Sequence, residues 1–248
     1  MRFRDKTVLI SGGSRGIGLA AANLFATEGA RVVLASRNAE SGAAAVAAIP
    51  AARFVTTDVR VAAACERAVH QAAVPDGLQV LINNAGVIYR DRDVGATTEA
   101  EWDETFEVNV KGAFLMSKYA LPALRASRGT IVNVASYVGL VGFAGAAAYS
   151  ASKAALVNLT RTMALDHAED GIRVNCVCPG SVATDMIFDA WAAFPNPDEA
   201  RLRWEAKHPL RRIATPEEVA KAIVFLASDD ATFITGVALP VDGGITAG

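Results

Sequence analysis

Tyr149 and Lys153 stand four residues apart in the small-residue run "AAYSASKAAL" (147–156). Four residues is just over one helical turn, so on a helix both side chains rise from one face. A free phenol, with a pKa of about 10, is a poor base near neutrality. A nearby ammonium stabilises the phenolate and lowers that pKa, which suits the phenol to proton transfer. A second candidate site lies near the start of the chain, where "SGGSRGIG" (11–18) sets Gly12, Gly16 and Gly18 in the pattern G-x-x-x-G-x-G. Glycines there permit a sharp turn, close approach of backbone to a pyrophosphate, and tight packing of the following helix. The helix N-terminus then offers free N–H groups and a positive dipole end to the phosphates. A glycine-rich turn alone also serves any tight strand-to-helix connection. Its position after the first strand of an alternating chain is what points to a nucleotide.

About 20 residues beyond such a loop, an acid would bond the ribose 2′-hydroxyl of the dinucleotide. The second strand instead ends in "LASRN": Ser36 stands at the acid's place, Arg37 follows it, and Arg15 lies inside the loop. Two guanidiniums at the adenine ribose suit a 2′-phosphate, so the sequence predicts NADP(H) over NAD(H).

The elements that must position these residues are legible as short β-rich runs between alanine-rich helical stretches. Strands are predicted at 7–11, 31–36, 53–58, 79–83, 129–136, 172–178 and 237–243. Runs this continuously apolar are expected where helices cover both faces of a parallel sheet. The predicted fold is therefore α/β: one Rossmann-type, doubly wound parallel sheet with helices on both faces, forming a single domain over residues 1–248. "TPEE" (215–218) marks a helix start, with Thr215 as N-cap, Pro216 at the first helical position and Glu218 closing a capping box. Residues 185–212 break the strand–helix rhythm with two prolines and several large aromatics.

Composition narrows the class. Twenty-four Lys and Arg against 26 Asp and Glu leave a net charge of −2, and no basic cluster argues for a nucleic-acid backbone. The first apolar stretch, "VLI", is too short for a secretory signal, and no apolar run approaches the roughly 20 residues of a membrane span. Cys65, Cys176 and Cys178 cannot all pair and read as packed thiols; His70, His167 and His208 lack metal-ligand spacing. A cytoplasmic, soluble protein without a metal is expected.

Several further motifs, in order, make the whole chain resemble the short-chain dehydrogenase/reductase family, in its 3-oxoacyl-carrier-protein-reductase-like and sugar-alcohol-dehydrogenase-like branch. "NNAG" (83–86) closes the fourth strand, "NVKG" (109–112) follows, and Ser136 precedes Tyr149 and Lys153 by thirteen and seventeen residues. "PG" (179–180) ends the sixth strand, with Thr184 after it, and "VDGG" (241–244) lies near the C-terminus. Ser11 stands where the family often has threonine.

The resemblance implies that Tyr149 is the general acid/base, that Lys153 lowers its pKa and holds the nicotinamide ribose, and that Ser136 orients the substrate oxygen. Asn109 would hold a water linking Lys153 to solvent. For the dinucleotide, the resemblance implies contacts from Gly12, Ser14, Arg15, Gly16, Ile17, Gly18, Ser36 and Arg37, and from Asp58 and Val59 at the adenine. Asn83, Ala85 and Gly86 would line the ribose and nicotinamide side, and Pro179, Gly180, Val182 and Thr184 the nicotinamide ring. Asn83 and Asn84 have a second reading as amides that brace adjacent strands. Tyr137 and Tyr119 lack the neighbours of Tyr149 and read as packing.

Residues 185–212 correspond to the family's substrate lid. Phe188, Trp191, Phe194 and Trp204 either wall an apolar pocket or anchor a two-helix flap. The basic bias from Arg201, Arg203, Lys207, Arg211 and Arg212 reads first as a solvated helix face, with steering of an anionic substrate or acidic carrier protein as the alternative. The leading functional expectation is an NADP(H)-dependent oxidoreductase that interconverts a ketone and a secondary alcohol, assembled as a homo-oligomer, commonly a tetramer. An NAD(H)-dependent sugar or polyol dehydrogenase, a non-catalytic dinucleotide-binding regulator and a nucleotide-sugar epimerase are the alternatives. The set Asn109, Ser136, Tyr149 and Lys153 argues against the regulator, and the short stretch after the last strand against the epimerase.

Overall fold

The computed structural model describes residues 1–49 and 51–248. Seven strands, β1 Thr7–Ser11, β2 Arg31–Ser36, β3 Arg53–Thr56, β4 Val80–Asn83, β5 Thr130–Val134, β6 Arg173–Pro179 and β7 Ala238–Val241, form one sheet in the order 3-2-1-4-5-6-7. Every pairing is parallel. The order reverses between β1 and β4, where Ser11 lies in register with Asn83. That reversal opens a crevice at the C-terminal ends of the strands, the place where ligands bind in sheets of this kind.

Alternation along each strand sends side chains to two cores. Val8, Ile10, Val32, Leu34, Val80 and Ile82 pack under helices α1 (Gly16–Thr27) and α9 (Pro216–Ala227). Leu9, Val33, Leu81 and Ile131 face the opposite layer, built from α3 (Ala62–Ala73), α5 (Gly112–Ser127) and α6 (Ala147–Asp166). A shorter α2 (Ala39–Ala48) follows β2, and α4 (Glu99–Phe106) runs into α5 through a π-helical turn, Glu107–Lys111. The three cysteines are buried and unpaired.

Three strands are shorter than the apolar runs suggest, because polar side chains claim the backbone at their ends. After β3, Asp58 accepts from the Arg60 amide at 3.0 Å. After β7, Asp242 accepts from the Gly244 and Thr246 amides at 2.9 and 3.1 Å. After β5, Ser136 opens a short 3-10 turn, Tyr137–Gly139. Such local bonds compete with the sheet ladder and end it.

The aromatic-rich segment forms two helices, α7 (Asp185–Ala192) and α8 (Pro197–Ala206). Its large residues are placed differently from one another. Trp191 packs with Ile187 and Ala200, with Trp204 and Ile213 against them, as a small core that anchors the pair. Phe188 stays exposed and lines a cleft beside Gly16 and Thr184. Three of the five basic side chains expected here have a carboxylate partner: Arg201 stands 4.0 Å from Asp198, Arg203 2.5 Å from Glu199 and Arg212 2.6 Å from Glu218.

The capping box at α9 forms as predicted. The Glu218 amide donates to Thr215 Oγ1 at 3.3 Å, and the Thr215 amide donates to Glu218 Oε2 at 2.9 Å. Arg212 and the capping bond hold the Glu218 carboxyl down at about 2. Replacing Thr215 with alanine is expected to cost about 1 kcal/mol, a fall in Tm of about 2–4 °C for a chain of this size. Thr215→Ser is expected to restore most of it, and thermal melts of the two variants check this.

Candidate active site

The glycine loop leaves β1 and opens α1 at the crevice. Gly12 has φ +64°, and a Cβ there would stand 2.9 Å from the Ala85 Cα. A Cβ at Gly18 would stand 2.4 Å from the Gly12 carbonyl oxygen. The backbone is therefore folded as tightly as the pattern demands. Arg15, in extended backbone, precedes α1 and gives it no side-chain cap, and its first turn holds no acidic residue. By contrast α4 and α9 are each closed by a threonine capping box. The first N–H groups of α1 are left as free donors at the helix's positive end, a fit for the pyrophosphate of a dinucleotide. Ile17, one residue into α1, packs on the core.

At the outer end of the loop, Ser14 Oγ accepts from Ser36 at 3.0 Å and from Ser41 at 3.1 Å. The Arg15 side chain is 75% exposed and only 4.0 Å from its nearest carboxylate, Asp185. Arg37 is exposed at the end of β2. Asp58 is held by a fork from Arg60, with contacts at 3.0 and 2.6 Å, which keeps its carboxyl below the ordinary range. Val59 is buried beside it, against Gly112.

Asn83 and Asn84 turn out to brace the structure with their side chains. Asn83 Nδ2 donates to Ser117 Oγ at 3.0 Å and Asn133 Oδ1 at 2.9 Å, inside the sheet–helix layer. Asn84 Nδ2 donates to the Gly12 carbonyl at 2.9 Å. The Ser11 hydroxyl in turn accepts from the Asn84 and Ala85 amides. Opposite, Pro179 ends β6, and Gly180 packs against Asp242 and His208. Val182 is buried, and Thr184 precedes α7 with its methyl 3.1 Å from where a Gly16 Cβ would stand. The glycine loop and the 180 loop thus lie side by side at the cleft that Phe188 lines.

Ser136, Tyr149, Lys153 and Asn109 converge at the other end. Tyr149 and Lys153 rise from one face of α6, with Lys153 Nζ 5.5 Å from the phenol ring centre. Lys153 is buried, and its Nζ donates to the Val134 carbonyl at 2.9 Å. Burial pushes its pKa down to about 8, so the ammonium is still largely protonated at neutral pH. Asn109 sits in the π-helical turn, a feature frequent at functional sites. Its Oδ1 accepts from the Val87 amide at 2.8 Å, and its Nδ2 donates to the Val87 carbonyl and Ser152 Oγ, each at 3.0 Å. A Cβ at Gly86 would meet Asn109 Oδ1 at 3.4 Å and Lys153 Nζ at 3.5 Å, which places these three residues together.

Electrostatics at Tyr149 differ from the simplest expectation. Burial pushes the phenol above its ordinary value, and the opposing pull comes from the Ser136 hydroxyl and from Arg90. Lys153 donates to the Val134 carbonyl and is not among the groups that pull on the phenol. Tyr137, expected to lack such neighbours, is buried near Tyr149, and burial first and the Tyr149 phenolate second disfavour its ionisation. Its phenol is pushed up to about 12. Sequence reasoning missed three residues here. Arg90 follows the "NNAG" motif by four residues with no signal of its own. Tyr137 arrives through a loop, and His208, fully buried, accepts from the Ser181 amide at 3.1 Å and thereby ties α8 to the 180 loop. Among the described residues no group of His, Cys, Asp and Glu is placed to hold a metal ion, and no helix is long and apolar enough to cross a membrane.

A doubly wound sheet of this order, with a glycine loop at its reversal, is a Rossmann-type dinucleotide-binding fold. Residues 12–246 match the family model described as enoyl-(acyl carrier protein) reductase. The chain is 45% identical over 250 residues to a meso-2,3-butanediol dehydrogenase of Serratia marcescens, covering 100% of this chain and 97% of that one. It is 44% identical over 255 residues to a cyclopentanol dehydrogenase of Comamonas testosteroni, covering 99% of each. The structure of levodione reductase superposes with a TM-score of 0.95 at 32% identity, covering 99% of each chain. The chain belongs to the short-chain dehydrogenase/reductase family, an enzyme family of oxidoreductases whose dehydrogenases use NAD(P)(H).

Gly18→Ala is expected to weaken dinucleotide binding about tenfold or more, equivalent to about 1.4 kcal/mol, because its Cβ has no space against the Gly12 carbonyl. Gly142→Ala, where a Cβ meets nothing within 4 Å, is expected to be inert. Fluorescence titration with NADPH compares the two.

Proposed function

We propose that the protein interconverts a small secondary alcohol and its ketone by hydride transfer with NADP(H), with Tyr149 as the general acid/base. One observation carries the reading: Tyr149 and Lys153 share a face of α6 directly opposite Ser136, at the strand ends beside a loop fitted to a dinucleotide. When bound, the nicotinamide supplies or receives the hydride. The chain's own residues supply the proton and the geometry. In the reducing direction Ser136 donates a hydrogen bond to the carbonyl oxygen, and Tyr149 delivers its phenolic proton to that oxygen. In the oxidising direction the phenolate takes the proton back from the alcohol. The nearby Lys153 ammonium favours that phenolate and would hold the nicotinamide ribose. Asn109 is a positioning residue: both its Nδ2 protons are committed to Val87 and Ser152, so it fixes the Gly86–Val87 backbone beside Lys153.

The names of the relatives, for butanediol, cyclopentanol and levodione, favour a small diol, cyclic alcohol or ketone over a sugar or an acyl thioester. NADP(H) is preferred because Arg15 and Arg37 stand exposed on either side of Ser36, where NAD binding would call for an acid. The two-helix segment 185–212 serves as the substrate lid of a single catalytic domain. A homo-oligomer, a tetramer, is built on α5 and α6, where Phe114 and Leu165 are 46% and 81% exposed.

Purified protein given NADPH and a panel of diketones, cyclic ketones, keto sugars and β-ketoacyl thioesters is expected to reduce the small ketones. Tyr149→Phe is expected to lose a factor of about 10²–10⁴ in kcat while still binding NADPH. Equal turnover by the variant would remove Tyr149 from the chemistry. Arg37→Asp is expected to invert or sharply reduce the NADPH/NADH ratio of kcat/KM, and an unchanged ratio would return the choice to NAD(H).

A further inference from the structure

Arg90 is held in the substrate side of the crevice by a small piece of backbone pairing. The Arg92 amide donates to the Gly145 carbonyl at 3.0 Å, and the Ala147 amide donates to the Arg92 carbonyl at 3.1 Å. The 90–92 strip is thereby fixed against the entry to α6, just ahead of Tyr149. Asp91, at φ +54°, and Gly145, at φ +76°, turn their backbones to make this close approach. From here the Arg90 guanidinium reaches the Trp204 ring of α8, 4.9 Å from its centre. It also lies near enough to Tyr149 and Tyr137 to favour both phenolates.

What sets Arg90 apart is what it lacks. Among the described residues no carboxylate lies within 4.0 Å of its guanidinium and no acceptor is hydrogen-bonded to it, whereas Arg60, Arg92, Arg125 and Arg212 each have a carboxylate partner. Its side chain is half-buried, and that burial disfavours its charge. A guanidinium partly withdrawn from water, stacked on an aromatic ring and free of an anion partner is placed to receive one from a ligand. Lys207 adds a second cation on the same aromatic, its Nζ 5.4 Å from the Trp204 ring centre and 5.2 Å from that of Phe143. The adjacent carboxylate, Asp91, is exposed and pulls only weakly on Arg90.

We infer that Arg90, seated on Trp204 and backed by Lys207, is a specificity-determining residue that selects substrates bearing a carboxylate-class anion besides the reacting carbon. The inference rests on the ketone–alcohol reading above and narrows its substrate class. The planar fork of Arg90 matches a carboxylate with two parallel N–H···O bonds, while Trp204 covers the substrate's carbon skeleton. The small, apolar turn after Ser136 adds no further charge, so Arg90 is the cation nearest Tyr149 on the substrate side.

Two measurements test it. The first uses the NADP⁺-loaded protein and cyclohexanecarboxylate, which has no carbinol to oxidise, with its methyl ester as control; tryptophan emission reports binding beside Trp204. Saturable quenching by the acid and not by the ester, lost in Arg90→Met and partly kept in Arg90→Lys, is the expected result. No saturable response in the unaltered protein, or an equal response to acid and ester, would overturn the inference whether or not any substrate is yet known. The second compares kcat/KM for keto acids and their methyl esters. The acid/ester ratio is expected to fall about 10²-fold in Arg90→Met. Reduction of neutral ketones with no such change would sink the anion site and leave the oxidoreductase reading standing. Acid binding without turnover of any ketone would do the reverse.

Discussion

All seven strands point the same way, so each releases its last residues at one edge of the sheet. The crevice at β1 and β4 lies on that edge, and nothing in the strand ladders reaches across it. Side chains do that instead. The Ser11 hydroxyl holds the Asn84 and Ala85 amides, Asn84 holds the Gly12 carbonyl, and Asn83 reaches Asn133 and Ser117. Asn133 continues the chain to Thr160 on α6 at 2.8 Å. The glycine loop, the 83–86 strip and the helix that carries Tyr149 are thus stitched into one unit before any ligand arrives. Preorganisation of this kind is what hydride and proton transfer to one small molecule require.

The charges in the site are arranged by burial as much as by pairing. Burial lowers Lys153 to about 8 beside its one carbonyl partner and raises both Tyr149 and Tyr137, while Arg90 opposes the rise at both phenols.

Much of this was legible in the sequence, and the reasons are local. Strand positions follow from short apolar runs, the α9 start from Thr215, Pro216 and Glu218, and the glycine loop from Gly12 and Gly18, which have no room for a Cβ, and Gly16, at φ +54°. The convergence of Ser136, Tyr149 and Lys153 follows once the strand order is known. What stayed hidden depends on distant partners. "TFEVNVKGAF" has no proline or glycine break ahead of Asn109, yet it contains a π-helical turn there. Asn83 is equally able to face a ribose or a neighbouring strand, and Ser117 and Asn133 decide the matter. Arg90 is one arginine among many until Trp204, more than a hundred residues away, is placed beneath it.

The proposed reaction carries a hydride between a nicotinamide and a carbonyl carbon at this crevice. The most direct test is a label transfer: NADPH deuterated at the nicotinamide C4, on either face in separate runs, incubated with the protein and a ketone it consumes. Deuterium is expected on the new carbinol carbon from one face only, with the hydroxyl proton drawn from solvent. An alcohol whose carbinol carbon stays unlabelled from both faces would contradict it.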